Sequence, residues 1–178
     1  LIMTAIMVLN LFSFNYLGSL PTGVLLTRAE SGSAALIQFS SVTSGVNLIT
    51  GTVSINNQYA HGNPFIQWGD VLYVLSGYVN APFKVNMADI YTGTPSSTVA
   101  IGGSPPVSRC AAKVKDFAVV GSLTSLGVND NTVKWSGFND PDSWAVGVNQ
   151  SDEQVMQSVG TILHISGGET GVIFQQKS

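Results

Sequence analysis

The 178-residue chain has the length of one ordinary domain, enough for a buried core. Only 10% of its residues are charged, against roughly a quarter in typical soluble domains. A net charge of −3, with Lys and Arg scattered, excludes a domain that binds nucleic acid by neutralising phosphates; the single cysteine excludes an internal disulfide framework and a cysteine metal knot.

The opening LIMTAIMVLNLFSF is apolar for 14 residues, short of the roughly 20 that a helix needs to span a bilayer, and Asn10 interrupts it. It lacks the basic start of a signal peptide. Residues 1–37 are therefore expected to hold an apolar strand or interface segment of unplaced role, ahead of a unit at 38–178. The start at Leu1 and the strand-like end GVIFQQKS suggest a piece of a longer polypeptide.

From there on no stretch sustains a helical period; at most QSDEQVMQSV (150–159) makes a short helical turn. Runs of apolar or β-branched residues alternate with Gly, Asn-Asp and Pro, which predicts an all-β fold. One pattern repeats. A turn pair followed by four mostly apolar residues gives VLLT from Val24, VLYV from Val71, FAVV from Phe117 and VIFQ from Val172, at intervals of 47, 46 and 55. Strand-like runs precede the last three (PFIQ, CAAKV, TILHIS) and follow the first three (AALIQF, APFKV, TVKW). A unit of this size with three or four short antiparallel strands matches a β-propeller blade, with a β-sandwich as the alternative.

His61 and His164 lack the short-range companions that zinc needs, and His164 is expected to be a strand residue. Asn139, Asp140 and Asp142 offer oxygens, but Pro141 between them favours a turn capped by its neighbours over a calcium loop. Ser136 lacks a nucleophile-elbow context, and SGGETG (166–171) is a hairpin and not a phosphate loop. Cys110 is expected to pack as a small apolar residue. These patterns predict no enzyme, no cofactor and no metal.

Two motifs remain. KWSGFNDPDSW (134–144) sets Trp135, Ser136, Asn139, Asp140, Pro141 and Trp144 in one corner, and SGGETG sets Gly167, Gly168, Glu169 and Gly171 in a hairpin. With FIQWGDVLYVLSG, NAPFKV and the Pro-Pro that opens SPPVSRCAAKVKDFAVVGS, they follow each other in a specific order. In this order residues 38–177 resemble the β-propeller region of bacteriophage tail-hub and nozzle proteins, the tail accessory or "DNA stabilisation" proteins found beneath the portal of short-tailed phages.

That resemblance implies a virion protein of the phage tail, made in the host cytoplasm. It implies a homo-oligomeric ring, a hexamer on the family's pattern, with a portal or adaptor above and distal tail proteins below. Genomic DNA would pass through its channel without sequence-specific binding, and no membrane span is expected. A low-charge surface suits subunit contact, and a slightly acidic balance lets DNA slide. The alternative is a glycan-binding propeller for host attachment, with Trp68, Tyr78, Tyr91 and Trp144 as candidate sugar platforms.

Overall fold

A computed structural model describes residues 6–14, 22–29, 33–40, 46–48, 53–54, 65–75, 82–92, 98–123, 129–157 and 160–176. The described chain is almost wholly antiparallel β-structure, laid down as a series of sheets in chain order. First come β1 (Ile6–Phe14), β2 (Thr22–Ala29), β3 (Ser33–Ser40) and β4 (Val46–Leu48), with β5 (Val53–Ser54) also pairing β3. The second sheet is β6 (Phe65–Trp68), β7 (Val71–Val74), β8 (Phe83–Asn86) and β9 (Val99–Ala100), with α1 (Met87–Thr92) between its last two strands. The third is β10 (Ser108–Val114), β11 (Phe117–Leu123), β12 (Asn129–Trp135) and β13 (Asp152–Val155). A hairpin of β14 (Ile162–Ser166) and β15 (Val172–Gln175) ends the series. Among the described residues no sheet closes on itself.

The four repeated runs are β2, β7, β11 and β15, the second strand of every sheet. In the first three sheets that strand is hydrogen-bonded on both sides, which explains why it is apolar. The turns before β7 and β11 are two-residue hairpins, Gly69-Asp70 and Lys115-Asp116. Their first central residues share a left-handed backbone, φ 55° at Gly69 and 50° at Lys115. The longer third interval falls mainly between β12 and β13, where the Trp-Ser…Asp-Pro…Trp corner is inserted.

Three expectations change. The polar segment 150–159 contains a strand, β13, and no helix among its described residues; all four β13 residues are exposed, so it carries no apolar period, and backbone pairing to β12 decides its form. A helix lies instead at α1, where Met87 and Ile90, three residues apart, are both fully buried. The boundary between residues 37 and 38 falls inside β3, so the strands on either side of it share one sheet.

Strand alternation sends successive side chains to opposite faces, and both faces of the third sheet are covered. Ala111, Ala118, Val120 and Leu123 pack with Ile66, Tyr73 and Leu75 of the second sheet and with Trp144. Cys110, Ala112, Val119 and Val133 face the other way, onto Ile162 and Ile165 of β14 and Ile173 of β15. The third sheet is thus the middle layer of three.

Candidate functional site

The corner at residues 136–151 begins where β12 leaves its sheet. Ser136 is fully buried, and its backbone N–H donates to Ala118 O at 2.9 Å while its Oγ accepts from Ala118 N at 3.0 Å. The serine hydroxyl thus stands in for a strand carbonyl and prolongs the ladder by one residue. Asn139 takes a left-handed backbone, φ 51°, which Asn tolerates better than most residues, and donates to Asp116 O at 2.8 Å. Asp140 Oδ1 accepts from Asp142 N at 3.0 Å across Pro141, a side-chain-closed turn. This is the geometry expected of Asn139–Asp142 as a turn.

The two tryptophans then part company. Trp144 is 1% exposed, sits in the core between the second and third sheets, and donates its indole N–H to Pro141 O at 2.8 Å. It starts no strand; it packs across the corner. Trp135 is half-buried on the opposite face of the third sheet, and its indole N–H reaches Gln150 O at 2.8 Å.

Asp142 is the electrostatic centre of the corner. Its Oδ2 accepts from Lys84 Nζ at 2.5 Å and from Tyr73 OH at 3.2 Å, and its Oδ1 from Gly102 N at 2.8 Å. These donors come from β8, β7 and the loop after β9, so one carboxylate of the third sheet's corner clamps three elements of the second sheet. Partial burial opposes its charge, yet the Lys84, Gly102 and Tyr73 hydrogen bonds together hold its titration below the usual aspartate range. Burial first, and then the Asp142 charge, push the Tyr73 phenol above its ordinary range. The carboxylate stays charged and the phenol stays protonated at neutral pH. That suits a fixed clamp and does not suit proton transfer.

The same loop meets the corner through its backbone. Gly103 has φ 65°, and a Cβ there would stand 2.6 Å from Asp142 O and 2.7 Å from Trp144 N. The Gly102-Gly103 pair therefore lets the second sheet's loop lie directly on the corner.

The hairpin motif forms the other joint. Gly168 exchanges backbone hydrogen bonds with the β10–β11 turn region: Lys115 N donates to Gly168 O at 2.7 Å and Gly168 N to Lys113 O at 3.0 Å. A Cβ at Gly167 would lie 2.2 Å from Lys113 O, so only glycine permits this approach. Gly171 lies against Val114, and Glu169 stands exposed at the tip. The Lys115-Asp116 turn is thus held by the hairpin through Lys115 and by the Trp corner through Asp116.

The remaining candidates fall into place around these joints. Cys110 is buried, its thiol pushed up to about 12 by burial, so it packs as an apolar residue. His164 stands exposed in β14 with its ring 5.7 Å from that of Phe174, and His61 lies outside the described residues. Among the described residues no three His, Cys, Asp or Glu side chains are grouped as a metal would require. No described helix is long and apolar enough to cross a membrane. As sugar platforms, Trp144 is ruled out by its burial and Trp68 is half-buried with Lys113 Nζ 4.3 Å from its ring centre; nothing is described of the Tyr78 and Tyr91 side chains. Compared with protein-family models, characterised proteins and solved structures, the chain matches none.

Lys84, Tyr73 and Gly102 were not singled out in the sequence. The Gly-Gly pair at 102–103 was the available signal for a close backbone approach. The partners of Asp142 had none, because they lie 58 and 69 residues away.

Proposed function

We propose that the chain is a structural component of a tailed-phage virion, a ring-forming tail-hub or nozzle element below the portal whose sheets are propeller blades. The observation that carries this is the use of both diagnostic motifs as sheet-to-sheet joints. The Trp corner, through Asp142 and Trp144, and the Gly-Gly-Glu-x-Gly hairpin, through its backbone, each tie one antiparallel sheet to its neighbour. The serial meander of antiparallel sheets, two of them four-stranded, has the order of consecutive blades. In this role the protein carries no catalytic residue. Copies associate into a ring, and the packaged genome passes through the channel that the ring extends, retained before ejection and released during it. The low density of charge keeps both the subunit contacts and the DNA path free of strong fixed ion pairing.

The test is direct. Particles purified from infected cells are analysed by mass spectrometry, and the chain is located by antibody labelling in the electron microscope. The expected result is label at the tail vertex in a fixed small copy number. Absence of the chain from purified particles would overturn the proposal.

A further inference from the structure

We infer that β13 is a self-capped edge. Its own side chains occupy backbone groups through which another strand would join the third sheet, so further protein meets that sheet by its faces and loops and not by strand addition. The sheet runs β10-β11-β12-β13, and among the described residues nothing pairs with the far side of β13. Asp152, Glu153, Gln154 and Val155 are all exposed. A strand in that position offers free N–H and C=O groups to any extended chain. Val155, β-branched and 42% exposed, would favour such an addition.

The register decides which groups face outward. Just past β13, Met156 N donates to Asn131 O at 2.9 Å, so residue 156 turns its backbone groups toward β12. The antiparallel pairing from Thr132–Val155 to Trp135–Asp152 is unshifted, so residues 154 and 152 turn the same way. Glu153 and Val155 therefore turn theirs away from the sheet. Glu153 N donates to Asp152 Oδ1 at 2.8 Å, and Val155 O accepts from Gln154 Nε2 at 2.8 Å. An added antiparallel strand would bond at Glu153 and at Val155, and at each it needs one N–H and one C=O. Each residue has already committed one of the two. The carboxylates of Asp152 and Glu153 add charge to the same edge, a further deterrent.

The second sheet reaches the same end by another route. Its edge strand β9 has only two residues, Val99 and Ala100, too few to template a partner. Just beyond it, Gly102 N is held by Asp142 Oδ1 at 2.8 Å. The longer edge is the one that carries caps.

Thioflavin T, a dye that reports stacked strands, tests the inference on the full chain and its variants. Asp152→Ala combined with Gln154→Ala removes both caps. Asp152→Asn removes the charge and keeps an oxygen acceptor for Glu153 N. Circular dichroism melts check that each variant keeps the fold. The expected result is no dye signal from the unaltered chain or from Asp152→Asn, and a signal that grows with time and concentration in the double variant. A folded double variant without signal would overturn the inference. So would an unaltered chain that binds the dye, or an Asp152→Asn signal equal to that of the double variant, which would assign the protection to charge. Amide hydrogen exchange gives a second reading should the double variant lose its fold. In Asp152→Ala the Glu153 amide should exchange faster while the β12 amides keep their rates, and an unchanged Glu153 rate would overturn the cap. Neither readout depends on the chain being found in particles, so this inference and the virion assignment fail separately.

Discussion

The second and third sheets, and the third sheet and the last hairpin, are joined in opposite ways. The first joint is built from large and charged side chains: Trp144 fills the space between sheets, and Asp142 reaches Lys84, Tyr73 and Gly102. The second sets small residues of the third sheet under Ile162 and Ile165 of β14 and adds a close approach of backbones. Cys110, Ala112 and Gly121 line the third sheet where β14 packs, and Gly167 and Gly168 bring one backbone onto another. A joint made by side chains is broken by removing atoms, whereas a joint made by close backbone approach is broken by adding them.

The largest expected effect is at Trp144. Trp144→Ala empties a fully enclosed site and is expected to lower unfolding free energy by about 3–5 kcal/mol, read by denaturant titration. Trp135→Ala removes a half-buried ring and is expected to cost less. Equal losses would erase the distinction between the two tryptophans. At the other joint, Gly167→Ala adds one methyl group against the Lys113 carbonyl and is expected to cost about 1–3 kcal/mol or more. A thermal melt unchanged by this methyl would show that the hairpin does not dock as closely as described.

Asp142→Asn sharpens the comparison further. It keeps an acceptor for Gly102 but loses the ion pair with a Lys84 side chain that is 25% exposed. A loss of about 1 kcal/mol at neutral pH is expected. Because the folded state depresses the Asp142 titration, its contribution is complete above the ordinary aspartate range and is lost as pH falls through the depressed value. Stability against pH should therefore fall less steeply on the acid side in Asp142→Asn. Parallel acid limbs would remove Asp142 from the clamp. The smallest effect is expected at the pair of half-buried Lys134 and exposed Glu153, 3.4 Å apart: Glu153→Gln should shift stability by no more than about 0.5 kcal/mol.

How far the sequence reached follows from the range of each interaction. The repeated runs were legible because every second strand is flanked on both sides or packed on a neighbouring sheet, which demands a continuous apolar stretch. The Asn-Asp-Pro-Asp turn was legible because the bonds that close it, Asp140 N to Gly137 O and Asp142 N to Asp140 Oδ1, span three residues or fewer. β13 was not, because an exposed edge strand has no face to mark; nor was α1, a six-residue helix held by the buried Met87 and Ile90. The clamp at Asp142 was beyond reach for a different reason. Its donors are brought together by sheet stacking, and no local spacing encodes that.

The most direct measurement is an electron-microscopy map of the assembled protein at side-chain detail. The account predicts the second sheet, the third sheet and the last hairpin stacked in chain order, with Trp144 enclosed between the first two and Asp142 on Lys84. A map with Trp144 in solvent, or with Asp142 away from Lys84, would contradict it.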